Sequence, residues 1–394
     1  MKILMLAPTP FFADRGCHVR IYEEAHALTS RGHEVRIVTY HLGRDMPGIA
    51  TRRIVRIPWY RKLAAGPSWH KPYLDLLLFF KAWQTACSFR PQLIHAHLHE
   101  GAFIGLLLKK VLQLPLLFDC QGSLTMELAD HGFARPGSLL YRCFAAIERR
   151  INRAADAIVT SSGAGRTDLL ERWQVPADKV AALIDGVDTA VFKPYPRAEV
   201  RQRLKVPAAV PLVVYLGVLN SYQGIDTLLA AMVLLKARGS KLRFLVMGFP
   251  EERYREQARL LGVDDMVTFP GRIDYAKAAV YLSAGDLAVS PKISLTEANG
   301  KLFNYMACGL PTVAFDTPVN REILGETGVY AQFGDAGDLA NRLETLAANE
   351  GERTRLAGLV REKAEREHSW RARGEVLEGV YRDLLRRWAR RSRR

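Results

Sequence analysis

The sequence predicts an α/β protein of two Rossmann-like domains facing each other across a cleft. Short apolar runs alternate with longer amphipathic ones, as buried parallel strands do when helices cover both faces of their sheet. The alternation fades between Thr189 and Pro211 and then restarts. Several apolar runs end in polar loops carrying glycine, histidine or asparagine, at the sheet edge where such folds bind ligands. With 394 residues the chain is long enough to bury two cores.

In order, Ile3–Ala7 reads as a first strand, and a loop with Asp14, Arg15, Gly16 and His18 feeds a helix, Tyr22–Ser30, before a strand at Val35–Thr39. The dinucleotide signature GxGxxG is absent, which disfavours NAD or FAD. The start MKILMLAPTPFF lacks the pattern of a secretory signal. Asp75, Lys81 and Lys109-Lys110 interrupt the best apolar runs before they reach the roughly 18 residues of a membrane span. The expectation is a soluble, cytoplasmic protein, at most peripheral to a membrane.

Arg53–Pro58 is predicted as a strand and Tyr73–Ser88 as a helix; Leu93–Ala96 is a buried strand running into His95, His97, His99 and Glu100. Alternate residues of a strand share a face, so the three imidazoles could converge. An extended strand separates them by more than one zinc ion bridges without a bend, so no metal is expected. One histidine at the carboxyl end then faces substrate. Strands at Leu114–Asp119, Ala157–Ser161 and Val180–Ile184, with helices at Ser138–Asn152 and Ala164–Arg172, complete a first domain over 1–192.

Prolines and charges mark 193–211 as a linker. The second domain, 212–370, runs through strands at Val213–Gly217, Arg243–Gly248, Val267–Phe269 and Asp286–Val289, with helices between them. A polar loop then leads to a helix starting at Lys301, and a strand follows at Thr312–Phe315. A loop entering a helix after a buried strand suits an anion, because unpaired backbone N–H groups point into it.

Five cysteines without a CxxC pair read as reduced thiols rather than a disulfide frame or a zinc site. The formal net charge is +15, and the basic tail 371–394 carries Leu384, Leu385 and Trp388 at helical spacing. That pattern suits a helix returning to the first domain or lying on an anionic membrane surface.

Taken in order, these blocks resemble the retaining glycosyltransferases of the GT-B fold, glycosyltransferase family four (glycosyl transferases group 1). They are Met1–Thr39 with RGHEV, the His-x-His strand end at Ile94–His97, IDGVDTAVFKP at Ile184–Pro194, Leu216–Leu229, Val267–Arg272 and MACGLPTVA at Met306–Ala314. The resemblance implies transfer of a hexose from a nucleotide-diphosphate sugar to a hydroxyl, with no further cofactor. The acceptor it suggests is a lipid-linked or polysaccharide-precursor glycan.

By the same resemblance, His97 approaches the donor sugar and the reacting centre. Glu297 binds sugar hydroxyls, and Asn299, Gly300, Lys301 and Leu302 meet sugar and diphosphate. Arg272 and Ile273 contact the base, Gly16 belongs to the glycine loop, and Gly217, Gln223 and Ala298 lie with the donor. Arg15, His18, Asp119 and Gln121 fall on the acceptor side. Relatives usually carry a second glutamate where alignment on MACG puts Asn304 and counting from Glu297 puts Tyr305. Many also have an arginine and a lysine where this chain has Val218 and Gln223, so Lys301 is expected to compensate. Two alternatives stand beside this reading: a nucleotide-sugar epimerase on the same fold, and a catalytically degenerate lipid- or nucleic-acid-binding protein. Nucleic acid is not the expected partner.

Overall fold

The computed structural model describes all residues except 14–15, 64–65, 67, 131, 205, 208–209, 294–297 and 393–394. The chain forms two compact units. One comprises Met1–Asp185 with Trp370–Arg394, and the other Gly186–Leu295 with Asn299–Ser369.

The first unit runs β1 (Lys2–Ala7), α1 (Gly16–Ser30), β2 (Glu34–Thr39), β3 (Ala50–Arg53), α2 (Lys71–Phe89), β4 (Leu93–His97), α3 (Leu98–Leu112) and β5 (Leu116–Cys120). It continues with α4 (Leu124–Asp130), α5 (Leu139–Ala154), β6 (Ala157–Thr160), α6 (Gly163–Glu171) and β7 (Val180–Ala182). The seven strands form one sheet, all neighbours parallel, in the order β3-β2-β1-β4-β5-β6-β7. The order reverses between β1 and β4, the topological point at whose carboxyl ends such sheets bind ligands. On one face Leu4, Leu6, Ile94, Leu116 and Phe118 pack against Leu74 and Leu78 of α2, Leu108 of α3 and Ile151 of α5. Each such side chain, fully buried, contributes about 1.5–3 kcal/mol. The strand predicted at Arg53–Pro58 is displaced: the ladder with β2 ends at Thr39↔Arg53, and Ile54 and Ile57 are buried beyond it.

The second unit runs α7 (Arg197–Leu204), β8 (Leu212–Leu216), α8 (Ile225–Ala237), β9 (Arg243–Met247), α9 (Glu252–Leu260), β10 (Val267–Gly271), α10 (Tyr275–Leu282) and β11 (Leu287–Ser290). Then follow α11 (Lys301–Ala307), β12 (Thr312–Phe315), α12 (Pro318–Leu324), β13 (Val329–Ala331), α13 (Ala336–Ala348) and α14 (Glu350–Glu367). Its six parallel strands lie in the order β10-β9-β8-β11-β12-β13, reversing between β8 and β11. The stretch 193–211, read as a linker, contains α7 and belongs to this unit. Arg201 is buried there, donating to the Ala284 carbonyl at 2.9 Å and to Asp286 at 2.5 Å. Those partners lie 83 and 85 residues downstream, so locally the segment looks like solvated charge.

The last helix, α15 (Trp370–Ser392), packs in the first unit against α1. Leu377, Tyr381 and Leu384 are buried, and a Cβ on Gly374 would lie 3.1 Å from the Ala27 Cβ, so the two helices touch closely. Arg31 donates to Glu378 at 2.6 Å and 2.8 Å. Of the apolar stripe that suggested a membrane helix, Leu384 is therefore buried inside the unit while Leu385 and Trp388 are half-buried, and the outward face mixes Arg382, Arg386 and Arg390 with Glu375 and Asp383. Among the described residues, no helix is long and apolar enough to cross a membrane.

Candidate active site

In the first unit the residues at the β1/β4 reversal converge on Asp119. Parallel register sets His97 beside Asp119, and the imidazole Nδ1–H donates to Asp119 Oδ2 at 2.9 Å. Arg20 of α1 donates to the same carboxylate from Nε at 3.0 Å and 3.1 Å and from Nη2 at 2.8 Å. Gln121 adds a bond at 2.8 Å. Arg20 also donates to the Leu183 carbonyl at 2.9 Å and to Asp185. Burial opposes the Asp119 charge, but Arg20 and His97 outweigh it and hold the carboxyl well below its usual range. With Nδ1–H fixed on the carboxylate, Nε2 is the ring nitrogen left over, and that buried atom has no hydrogen-bond partner among the described residues.

Behind His97 lies a second layer. His95 is 4.3 Å away, ring to ring, and its Nδ1 bonds the Tyr381 hydroxyl of α15 at 2.7 Å. Glu24 approaches Arg20 at 3.0 Å and His95 at 3.6 Å, yet neither carboxyl oxygen has a hydrogen bond among the described residues. Burial, with Asp119 and Asp185 competing for the same guanidinium, pushes Glu24 well above the usual carboxyl range. Burial likewise lowers His95 well below the ordinary imidazole value. Glu24, His95, His97 and Asp119 bring ligand atoms within 4.8 Å of one another, but the Arg20 guanidinium already supplies positive charge among them.

The three histidines do not share a face. The strand ends at His97, Leu98 takes a left-handed φ of 61°, and His99 lies in the first turn of α3 instead, 3.7 Å from Glu148 and edge-on to Phe118. A bulky residue at positive φ is backbone strain, here immediately after the candidate catalytic histidine. His18 is fully buried: Nδ1 accepts from the Ala13 N–H at 2.9 Å, so Nε2 carries the proton and faces Thr9. Those bonds fix the orientation of the imidazole beside β1. Gly16 opens α1 with nothing within 4 Å of where a Cβ would stand. Arg15 lies outside the described residues.

In the second unit the β8/β11 reversal gathers Gly217, Gln223 and Lys301. Lys301, first residue of α11, donates to the Gln223 carboxamide and to Tyr215 Oη at 3.3 Å, and stands 4.7 Å over the Tyr215 ring. A Cβ on Gly217 would press on Lys301 Cε at 3.1 Å. One on Gly248 would lie 1.8 Å from the Gly217 carbonyl oxygen, so the two loops require glycine to pass. Lys292, buried and 5.5 Å over the Tyr222 ring, is a further cation on this rim.

Asn299 turns inward. Its amide donates to Ser290 Oγ at 2.9 Å and Asn320 Oδ1 at 2.8 Å, which leaves the backbone rather than the side chain for a ligand. Leu302 is fully buried. Gly300 and Ala298 are half-buried, whereas Glu297 is outside the described residues. The two candidates for the second glutamate position differ in burial. Tyr305 is fully buried with its hydroxyl accepting from the Leu216 N–H at 2.8 Å, while Asn304 is half-buried. Arg272 is exposed, its guanidinium 5.3 Å over the Phe249 ring, and Ile273 is half-buried.

Residues 15–186 match the family model described as Glycosyl transferase 4-like domain, and residues 210–349 match Glycosyl transferases group 1. The chain belongs to the group 1 glycosyltransferases. This glycosyltransferase is 27% identical to a D-inositol 3-phosphate glycosyltransferase of Kineococcus radiotolerans, over 93% of its own length and 90% of the relative's. Its fold matches a sucrose-phosphate synthase of Thermosynechococcus elongatus with a TM-score of 0.83 at 22% identity, covering 98% and 99% of the two chains. Anabaena HepE, solved with UDP-glucose, matches with a TM-score of 0.78 at 18% identity over 97% and 100%. The fold is thus GT-B, built of two parallel-sheet Rossmann-like units, and the chain is an enzyme of glycosyl transfer. The epimerase and the degenerate binding protein are set aside.

Sequence reasoning missed Arg20, Glu24, Asp185 and Tyr381 in the first unit and Tyr215 and Lys292 in the second. The one local signal was the pair Arg20 and Glu24, four residues apart on α1 and both buried.

Proposed function

We propose that this glycosyltransferase moves a hexose from a nucleotide-diphosphate sugar to a hydroxyl of a lipid-linked or polysaccharide-precursor glycan, with retention of configuration. Transfer takes place at the cytoplasmic face of the membrane. The observation that carries the donor reading is Lys301: an ammonium at the strand-order reversal of the second unit, held against Gln223 and Tyr215. It supplies, beside Gln223, positive charge at a loop where relatives have a lysine. The UDP-glucose in HepE supports a nucleotide sugar as donor.

In the proposed step the bond from the anomeric carbon to the diphosphate oxygen breaks, and the electron pair leaves with the diphosphate. The acceptor oxygen bonds to that carbon on the same face, and its proton passes to the departing phosphate. Lys301 neutralises the growing phosphate charge. Gly217, Gly300 and Ala298 line the donor's path with backbone, Arg272 and Ile273 border the base, and Asn304 reaches the ribose. Glu297 orients the sugar hydroxyls. His97 offers Nε2 to the donor sugar, positioned by Asp119, whose other donors are Arg20 and Gln121.

A thermal-shift screen of UDP-, GDP- and ADP-sugars tests this. One nucleotide class is expected to raise Tm, and Lys301→Met to weaken its Kd about 10- to 100-fold, equivalent to roughly 1.4–2.7 kcal/mol. No shift with any nucleotide sugar would defeat the donor reading, and an unchanged Kd in Lys301→Met would defeat the role given to Lys301.

A further inference from the structure

With Leu377, Tyr381 and Leu384 of α15 packed inside the first unit, most of the exposed large apolar side chains of that unit lie on other elements. The helices on one side of its sheet present Phe80 (51% exposed) on α2, Phe103 (51%) and Leu107 (42%) on α3, and Ile147 (43%) on α5. Between α3 and α5 runs a groove of about 970 Å³ whose apolar floor includes Phe103, Leu107 and Ile147. Its lining also carries Lys110, Arg142, Arg149, Arg150 and Arg153.

These five cations are set apart by lying together on the rim of one apolar groove. Arg31, Arg53 and Lys109 each face a carboxylate within 4 Å, whereas no described carboxylate comes that close to any of the five. The only acid on α5, Glu148, turns inward and accepts from Ser123, Leu124 and Thr125. Apolar residues rimmed by uncompensated arginine match an interface whose outer layer is anionic and whose interior is hydrocarbon. A protein partner would have to bring acids to every rim position, whereas a bilayer supplies phosphates on all sides of the apolar patch. Arginine pairs with phosphate in bidentate fashion.

We propose that the α3/α5 face of the first unit docks on an anionic phospholipid surface, Phe103, Leu107 and Ile147 entering the headgroup boundary and the arginines taking phosphates. The surface alone carries this inference, which does not depend on the identity of the sugar donor.

The test is co-sedimentation of the full chain with vesicles of phosphatidylglycerol and phosphatidylcholine, against phosphatidylcholine alone. Binding is expected only with the anionic vesicles and to weaken in high salt. Near an anionic surface each cation is worth roughly a fivefold change in partition, so Arg149→Ala with Arg150→Ala should lower it roughly 30-fold. Phe103→Ser with Leu107→Ser should lower it about tenfold or more, and Arg390→Ala with Arg391→Ala on the tail should change it less than about threefold. Circular dichroism and the nucleotide-sugar thermal shift, run on the same variants, are expected to be unchanged. They separate loss of docking from loss of fold or of the donor site. The proposal is overturned if the chain ignores anionic vesicles, if the two lipid compositions bind equally, or if the tail variant loses binding as the face variants do. A dimer that Phe103→Ser with Leu107→Ser dissociates would equally overturn it, by assigning the face to a second copy.

Discussion

Replacing Asp119 with asparagine keeps the volume and removes the charge on which Arg20, His97 and Gln121 all converge. Breaking a buried ion pair by removing one partner costs about 3–5 kcal/mol. Arg20 would retain Asp185 and Glu24, so the expected loss at pH 7 is near the lower end, about 3 kcal/mol, read from urea unfolding. Activity should fall separately. His97 would exchange a hydrogen bond to a carboxylate for one to an amide, and bonds to charged groups are worth about 1.5–3 kcal/mol. Full loss of that stabilisation corresponds to roughly 10- to 150-fold in kcat/KM. Because the Asp119 carboxyl is held well below its usual value, its contribution is present above the unfolded pKa of about 4 and is lost as pH falls toward the folded value. The stability gap between wild type and Asp119→Asn should therefore narrow by about 1.4 kcal/mol for each pH unit below about 4. A gap under about 1 kcal/mol at pH 7, or one that stays constant on acidification, would refute the idea that the charge organises this cluster.

Asp75, hydrogen-bonded by Tyr40 at 2.5 Å, is raised to about 7, chiefly by burial. The stability it allows is complete below about pH 4 and lost as pH rises through 7, so Asp75→Asn should stabilise by about 2–4 kcal/mol at pH 8 and do little at pH 4. Denaturant midpoints at the two pH values check this. Tyr381→Phe leaves the buried His95 Nδ1 without its bond and should cost about 1–3 kcal/mol in unfolding free energy. Transfer should fall less than in Asp119→Asn, as comparison of the two variants' kcat/KM would show.

The alternation of elements was legible because fully buried parallel strands are short apolar runs, as at Leu116–Cys120 and Thr312–Phe315. His97 and Lys301 were legible as polar residues at strand and loop ends. What surrounds them was not, because the partners are distant in sequence: Asp119 lies 99 residues from Arg20, and Tyr381 lies 286 from His95. A backbone turn misled the reading of the histidines, since nothing in LIHAHLHE announces a left-handed Leu98. The tail shows the limit of patterning. Its stripe of Leu384, Leu385 and Trp388 says that a surface must cover it, and helical spacing looks the same whether that surface is lipid or α1.

The return of α15 to the first unit also sets the order in which the protein can be completed during synthesis. The second unit has all its strands once Ala331 has emerged, but the first lacks Tyr381 and Leu384 until α15 is made. Domains usually finish from the amino terminus onward. Here His95 and Glu24 wait for their cover throughout translation, and the histidine that follows two residues later is framed only when the carboxyl-terminal helix arrives. A chain cut after residue 369 would keep every strand of both units and lack the cover that α15 gives His95 and Glu24.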